Sequence, residues 1–286
     1  MPANAFGTPP PHAAFLDRAL PVLQADARIV GVAAAGSFVS GTMDEWSDLD
    51  LVIAVEPAGV AAVSGERATI AAGLGPLVAA FTGEHVGEPR VLICLYDGER
   101  GGPPLHVDLK FVSLPDAAHR VDDVVVLWER DGRLTSALRA EEACYPAPDL
   151  SWIEERFWIW VHYAALKIGR GELFEAIDFL SFLRGRVLGP LALVEAGEQP
   201  AGVRRVETAS PSRAAALRET VAAYDRAASL RALYAAAELY RSLRSSLGSE
   251  DVVSNTAAER VAMDYLDEVA GKGSGPARES AADGRT

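Results

Sequence analysis

Residues 36–55, GSFVSGTMDEWSDLDLVIAV, decide how the rest of the chain is read. An apolar run, IVGVAAA at 29–35, stops at Gly36-Ser37. A polar stretch follows, and Ser47-Asp48-Leu49-Asp50 opens a second apolar run that ends at Val55. Side chains alternate in a strand, so Leu49, Leu51 and Ile53 are predicted on the core face and Asp48 and Asp50 on the other. Two carboxylates side by side repel each other unless a cation lies between them. Ligands that are all oxygen suit Mg²⁺, with phosphate oxygens completing its octahedron. Gly36 lets backbone approach a ligand closely. Ser37 adds a hydroxyl at a predicted helix start, where unpaired N–H groups favour phosphate.

Working outward, PLHVDLKFVS at 104–113 alternates as a strand, with His106, Asp108 and Lys110 on one face and Val107, Leu109 and Phe111 on the other. Asp108 thereby offers a third carboxylate. The run RVLICLY at 90–96 reads as a buried strand and DGERGGPP at 97–104 as a turn-rich loop, so the two strands are predicted as an antiparallel hairpin. Upstream, 28–35 is the first core strand, and 13–23 has helical spacing interrupted by Pro21. Residues 66–78 are spaced for a helix, weakened by Gly73, Gly75 and Pro76. These elements imply an α/β domain over 12–140, with 1–11 a flexible lead-in.

Beyond it the pattern turns helical. Ser151 with Glu154 three residues on is expected to form a capping box, starting a helix that Gly171 ends. A second helix covers 172–188, stopped or kinked at Gly189-Pro190. Ser210-Pro211 opens the next helical run, 213–247 holds two helices, and 257–269 a last one. The fold class expected is α+β: a small mixed-sheet domain followed by an all-α bundle over 150–270, with 271–286 a flexible tail.

The chain has 286 residues, enough for two domains. Its formal charge of −13, from 40 acidic against 27 basic residues, argues against a nucleic-acid substrate, whose binding rests on Lys and Arg. The same field would steer cationic small molecules inward. Two cysteines, Cys94 and Cys144, make no disulfide framework and suit a reducing cytoplasm. No signal-peptide pattern or 18-residue apolar run is present, so no membrane partner is expected. Nothing in the sequence speaks to the oligomeric state.

Gly36-Ser37, Ser47-Asp48-Leu49-Asp50 and Asp108 together resemble the signature of the nucleotidyltransferase superfamily that includes DNA polymerase β, over about residues 29–111. The likeness is nearest to the antibiotic nucleotidyltransferases that act on aminoglycosides and lincosamides, and FWIWVHYAALKIGRGELFEAIDFLSFLR at 157–184 is similar to their helical domain. The resemblance implies a sheet domain carrying the nucleotidyltransferase chemistry, with the active site in a cleft between the two domains. Asp48, Asp50 and Asp108 would be catalytic and hold Mg²⁺, while Gly36, Ser37 and Ser47 would hold the nucleotide. The implied co-substrate is a nucleoside triphosphate, read as ATP, and the acceptor a small-molecule hydroxyl; the alternatives are a nucleotidyltransferase that modifies a protein, of toxin–antitoxin type, and a non-catalytic nucleotide-binding module. It favours Lys167 as the basic residue from the helical domain that contacts the triphosphate; only three of the 27 basic residues are lysine. Acidic Glu172, Glu175 and Asp178, three apart along one side of the second helix, together with His162, would contact a cationic acceptor. Asp108, Glu172 and Glu175 are all candidates for the base that takes the acceptor's proton.

Overall fold

The computed structural model describes residues 7–98, 101–248 and 253–272, so most of the expected flexible termini, 1–6 and 273–286, lies outside the described residues. The chain divides into two compact units, Met1–Tyr145 and Pro146–Thr286.

The first unit runs α1 (Pro10–Ala25), β1 (Ile29–Ala34), α2 (Ser37–Ser40), β2 (Leu49–Val55), α3 (Val60–Gly73), β3 (Leu77–Gly83), β4 (Glu88–Tyr96), β5 (Leu105–Ser113), β6 (Val125–Glu129) and α4 (Arg133–Leu138). Its six strands lie in the order β3-β4-β5-β2-β1-β6. β2 pairs with β5 in parallel and the other neighbours pair antiparallel, including the expected β4–β5 hairpin. One face buries Leu49, Leu51, Ile53, Val107, Leu109 and Cys94 against Phe15, Leu16 and Leu23 of α1 and Val63 of α3. On the opposite face, Ala33, Ala54 and Val112 pack against Leu134 of α4.

Three expectations change here. α1 begins at Pro10, inside the stretch read as a loose lead-in, because prolines in a first turn give up N–H groups that have no helical partner anyway. Pro21 does not break α1; it and Asp17, whose carbonyl loses a donor, are both exposed, so water can serve that carbonyl. The helix expected at 66–78 starts earlier, at Val60, and stops at Gly73. Gly75-Pro76 then turns the chain into β3, which its alanines concealed.

The second unit holds α5 (Leu150–Arg170), α6 (Leu173–Leu183), α7 (Gly189–Glu195), α8 (Val206–Ala209), α9 (Pro211–Arg218), α10 (Arg226–Leu247) and α11 (Thr256–Gly271). Its core joins Phe157, Trp158 and Val161 of α5 to Leu180 of α6, Leu233 and Tyr240 of α10 and Leu266 of α11. Gly171, with positive φ, closes α5 as expected. Gly189-Pro190 stops nothing: a π-helical turn over Arg184–Leu188 carries α6 into α7.

The capping box is absent. Asp149 caps α5, its carboxylate accepting from the Trp152 N–H at 2.9 Å. Glu154 instead turns inward and is 3% exposed. Its carboxylate accepts from Trp158 Nε1 at 3.2 Å, Tyr240 Oη at 2.6 Å, Arg244 Nη1 at 2.8 Å and the Asn255 N–H at 2.8 Å. Burial pushes its pKa up, but those four donors outweigh burial and hold it below the ordinary value.

Candidate active site

The register of β2 on β5 sets Asp50 directly beside Asp108. Neighbouring residues on paired strands share a face, so the two carboxylates leave the sheet on the same side. Asp48 precedes β2, two residues from Asp50. The Ala35 N–H donates to the Asp50 carbonyl at 3.0 Å, which draws the end of β1 against the start of β2. There Gly36 takes φ +62°, and a Cβ at that position would stand 2.5 Å from Asp50 Oδ2. Only glycine fits beside that carboxylate. Ser37, buried, opens the single turn of α2.

The loop before Asp48 is tied from below. The Ser47 hydroxyl donates to Asp44 Oδ1 and accepts from the Asp44 N–H, both at 3.0 Å, which closes a turn. The Ser47 carbonyl accepts from Nε2 of His12 at 2.7 Å. His12, 2% exposed on α1, is a positioning residue that the sequence reading missed. It sits directly after three prolines, in a stretch read as lead-in, and a lone histidine carries no spacing signal.

Asp108 has an unfavourable place for a negative charge. Burial raises its pKa, the neighbouring His106 opposes that rise, and the charge of Asp48 adds to it. His106 Nε2 lies 3.0 Å from Asp108 Oδ1. Lys110, on the same face, pairs with Glu88 at 2.9 Å. Glu88 also takes Arg90 at 2.6 Å, and the Arg90 hydrogen bond, against burial and with help from Lys110, lowers its pKa to about 2.

Among the described residues, no group of three or more His, Cys, Asp or Glu side chains is gathered as a metal cage. The Asp108 carboxylate is turned onto His106. The donor set nonetheless fits Mg²⁺ in kind: it is all oxygen, two members stand in register, and the third lends Asp108 a repulsion that a cation would relieve.

In the helical unit the expected nucleotide and acceptor residues engage one another. Lys167 Nζ lies 2.8 Å from Glu172 and 2.9 Å from Glu175, and over the Tyr163 ring at 5.1 Å. Hydrogen bonds to Glu172 and then Glu175 raise the Lys167 pKa. The Tyr163 hydroxyl donates to Glu175, which with Lys167 lowers that carboxylate's pKa. Asp178 is exposed. His162 packs its ring against Tyr265 with centroids 4.5 Å apart.

Residues 16–76 match the model of a nucleotidyltransferase domain. No curated protein is a significant match to the chain. Among solved structures the chain is similar to an aminoglycoside 6-adenyltransferase from Bacillus subtilis, at 15% identity over 90% of this chain and 97% of that one, with a TM-score of 0.40. It is also similar to a nucleotidyltransferase-like protein from Exiguobacterium sibiricum, at 13% identity over 88% of each chain and a TM-score of 0.38. Neither likeness bears on substrate. Among the described residues, no helix is long and apolar enough to cross a membrane.

Proposed function

We propose, for a chain that carries a nucleotidyltransferase domain, Mg²⁺-dependent transfer of a nucleoside monophosphate from ATP to the hydroxyl of a small molecule. The observation that carries the reading is the in-register Asp50–Asp108 pair, with Asp48 two residues away and Gly36 closed over Asp50. Asp48, Asp50 and Asp108 would hold the ion, which when bound polarises the α-phosphate and neutralises the departing pyrophosphate. Gly36, having no side chain, lets the backbone at the start of α2 lie against the Asp50 carboxylate, and Ser37 follows it with a hydroxyl that would meet the phosphates.

Asp108 would take the acceptor's proton as the new bond from oxygen to α-phosphorus forms and the bond to pyrophosphate breaks. Asp108 is read as that base because it stands in register beside Asp50, whereas Glu175 is engaged by Tyr163 and Lys167 and Glu172 by Lys167. For Lys167 to reach a triphosphate it must leave Glu172 and Glu175, and a cationic acceptor would compete with Lys167 for the same two carboxylates. Lys167, Glu172 and Glu175 are in this reading an ionic cluster that opens only when a substrate offers a better partner, with Asp178 and His162 as further acceptor contacts.

The test is pyrophosphate release in the presence of Mg²⁺, with each of the four nucleoside triphosphates and a panel of neutral and cationic hydroxylated acceptors. Acceptor-dependent release with ATP is expected, together with a matching mass increase on the acceptor. A mass increase on a protein substrate, with none on any small molecule, would overturn the choice of acceptor.

A further inference from the structure

The sheet face that carries Asp108 continues past it. Register places Ile93 of β4 beside Asp108 and Leu95 beside His106. One strand further, Phe81 of β3 lies beside Ile93 and Ala79 beside Leu95. Cross-strand partners share a face, so one surface runs from Gly36 and Asp50, through Asp108, onto an uncharged apolar shelf two strands wide. The alternate residues Leu92, Cys94 and Tyr96 are consumed by the core on the other side.

This shelf is open. Phe81 is 55% exposed and Leu95 41%, with Ile93 half-buried between them. Single exposed apolar side chains are ordinary, but here several adjoin one another in register beside Asp108. The shelf's titratable neighbours are Asp108 and His106, 3.0 Å apart on β5, and His85, whose ring lies 5.5 Å from that of Phe81; toward the start of β4, Arg90 and Lys110 close on Glu88 at 2.6 and 2.9 Å.

We propose that this shelf seats the acceptor, and that the acceptor presents the flat face of an aryl group beside its reacting hydroxyl. The inference rests on the transfer reading above. Two features assign the shelf to the acceptor and not to the nucleotide. Gly36 and Ser37 lie on the β1–β2 side of Asp50, while the shelf lies on the far side of Asp108. In phosphoryl transfer the attacking and leaving oxygens stand roughly in line on opposite sides of phosphorus, so the two substrates need opposite approaches. Strands lie about 4.8 Å apart, so β3 is about 10 Å from β5, the span of a two-ring molecule.

The test uses the full chain with Mg²⁺ and a non-hydrolysable ATP analogue, and measures binding of phenyl β-glucoside and methyl β-glucoside by titration calorimetry and saturation-transfer NMR. The phenyl compound is expected to bind about tenfold tighter, the worth of covering one aromatic face. The double variant Phe81→Ala with Leu95→Gln should erase that preference with only a small fall in melting temperature, since neither side chain is in the core. Phe81→Tyr should keep it. Equal affinity for the two glucosides, binding of neither, or a preference that survives the double variant overturns the proposal. So does sedimentation in which that variant turns a dimer into a monomer, because the shelf is then covered by a second copy. Shelf-dependent binding with no pyrophosphate release from ATP in parallel samples would keep the ring-binding surface and sink the transfer reading alone.

Discussion

Two carboxylate sites, one in each unit, show opposite physical chemistry. Glu154 in the helical unit is buried among four donors, and its pKa is held down. Asp108 in the sheet unit has His106 for a partner, shares its surroundings with Asp48, stands in register with Asp50, and its pKa is pushed up. A satisfied buried charge stabilises the fold that surrounds it. A carboxylate held where its charge is penalised costs stability, and such sites are where chemistry is done. In the proposed reading, the contrast separates a structural from a catalytic carboxylate.

The largest effect expected is on turnover. Asp50→Asn removes a carboxylate from the in-register pair at constant volume, and the transfer rate should fall on the order of 10³-fold with the melting temperature little changed. Full turnover by a well-folded variant would end the metal-site reading. Glu154→Gln should do the reverse. It breaks the buried ion pair with Arg244, which should cost about 3 kcal/mol and lower the melting temperature by about 6–12 °C, while residual activity per folded molecule holds. The pH dependence follows from the lowered pKa. Stability from Glu154 is complete above its ordinary value of 4.5 and is lost as pH falls through the lower folded value. The gap between wild type and Glu154→Gln should therefore narrow on acidification, and a gap that widens below pH 4 would contradict the assignment.

Ligand binding sharpens the comparison from the other side. ATP and Mg²⁺ together should raise the melting temperature, by up to about 2.7 kcal/mol of stabilisation at a hundredfold excess over Kd, whereas either alone should do far less. The response should vanish in Asp50→Asn and persist in Glu154→Gln. Calorimetry that gives the same response to ATP with and without metal would remove Mg²⁺ from the site.

How much of this was legible beforehand follows the same division. Period-two alternation put Asp50 and Asp108 each on the polar face of its own strand, because β2 and β5 write their burial into sequence, but only the parallel β2–β5 register sets the two side by side. Gly171 and the β4–β5 hairpin were readable from turn chemistry alone. Glu154 was misread because Ser-x-x-Glu at a helix start has two physical meanings, and only the distant Tyr240, Arg244 and Asn255 decide between them. His12 and Lys167 were hidden or recast for the same reason: the partners that define them, Ser47, Glu172 and Glu175, become visible only once the chain is folded.

The smallest effect is also the most discriminating, because it asks whether Asp108 carries a cost at all. A carboxylate whose folded pKa is raised binds its proton more readily in the native state than in the unfolded chain. Stability therefore falls as pH rises from the ordinary value of 3.8 through the raised one, and stays lowered above it. Asn at that position keeps an oxygen for the His106 ring but sheds both the burial of a charge and the repulsion from Asp48. Measured with a chelator present, Asp108→Asn should then melt slightly above wild type at pH 7, by about 1 kcal/mol or less, and lose that advantage near pH 4. The same variant should fail in transfer, having neither the metal ligand nor the base. A stabilised, inactive Asp108→Asn beside a destabilised, active Glu154→Gln would place the two carboxylates on opposite sides of the division between function and fold. A destabilised Asp108→Asn would instead make Asp108 a structural residue and move the chemistry elsewhere on the sheet.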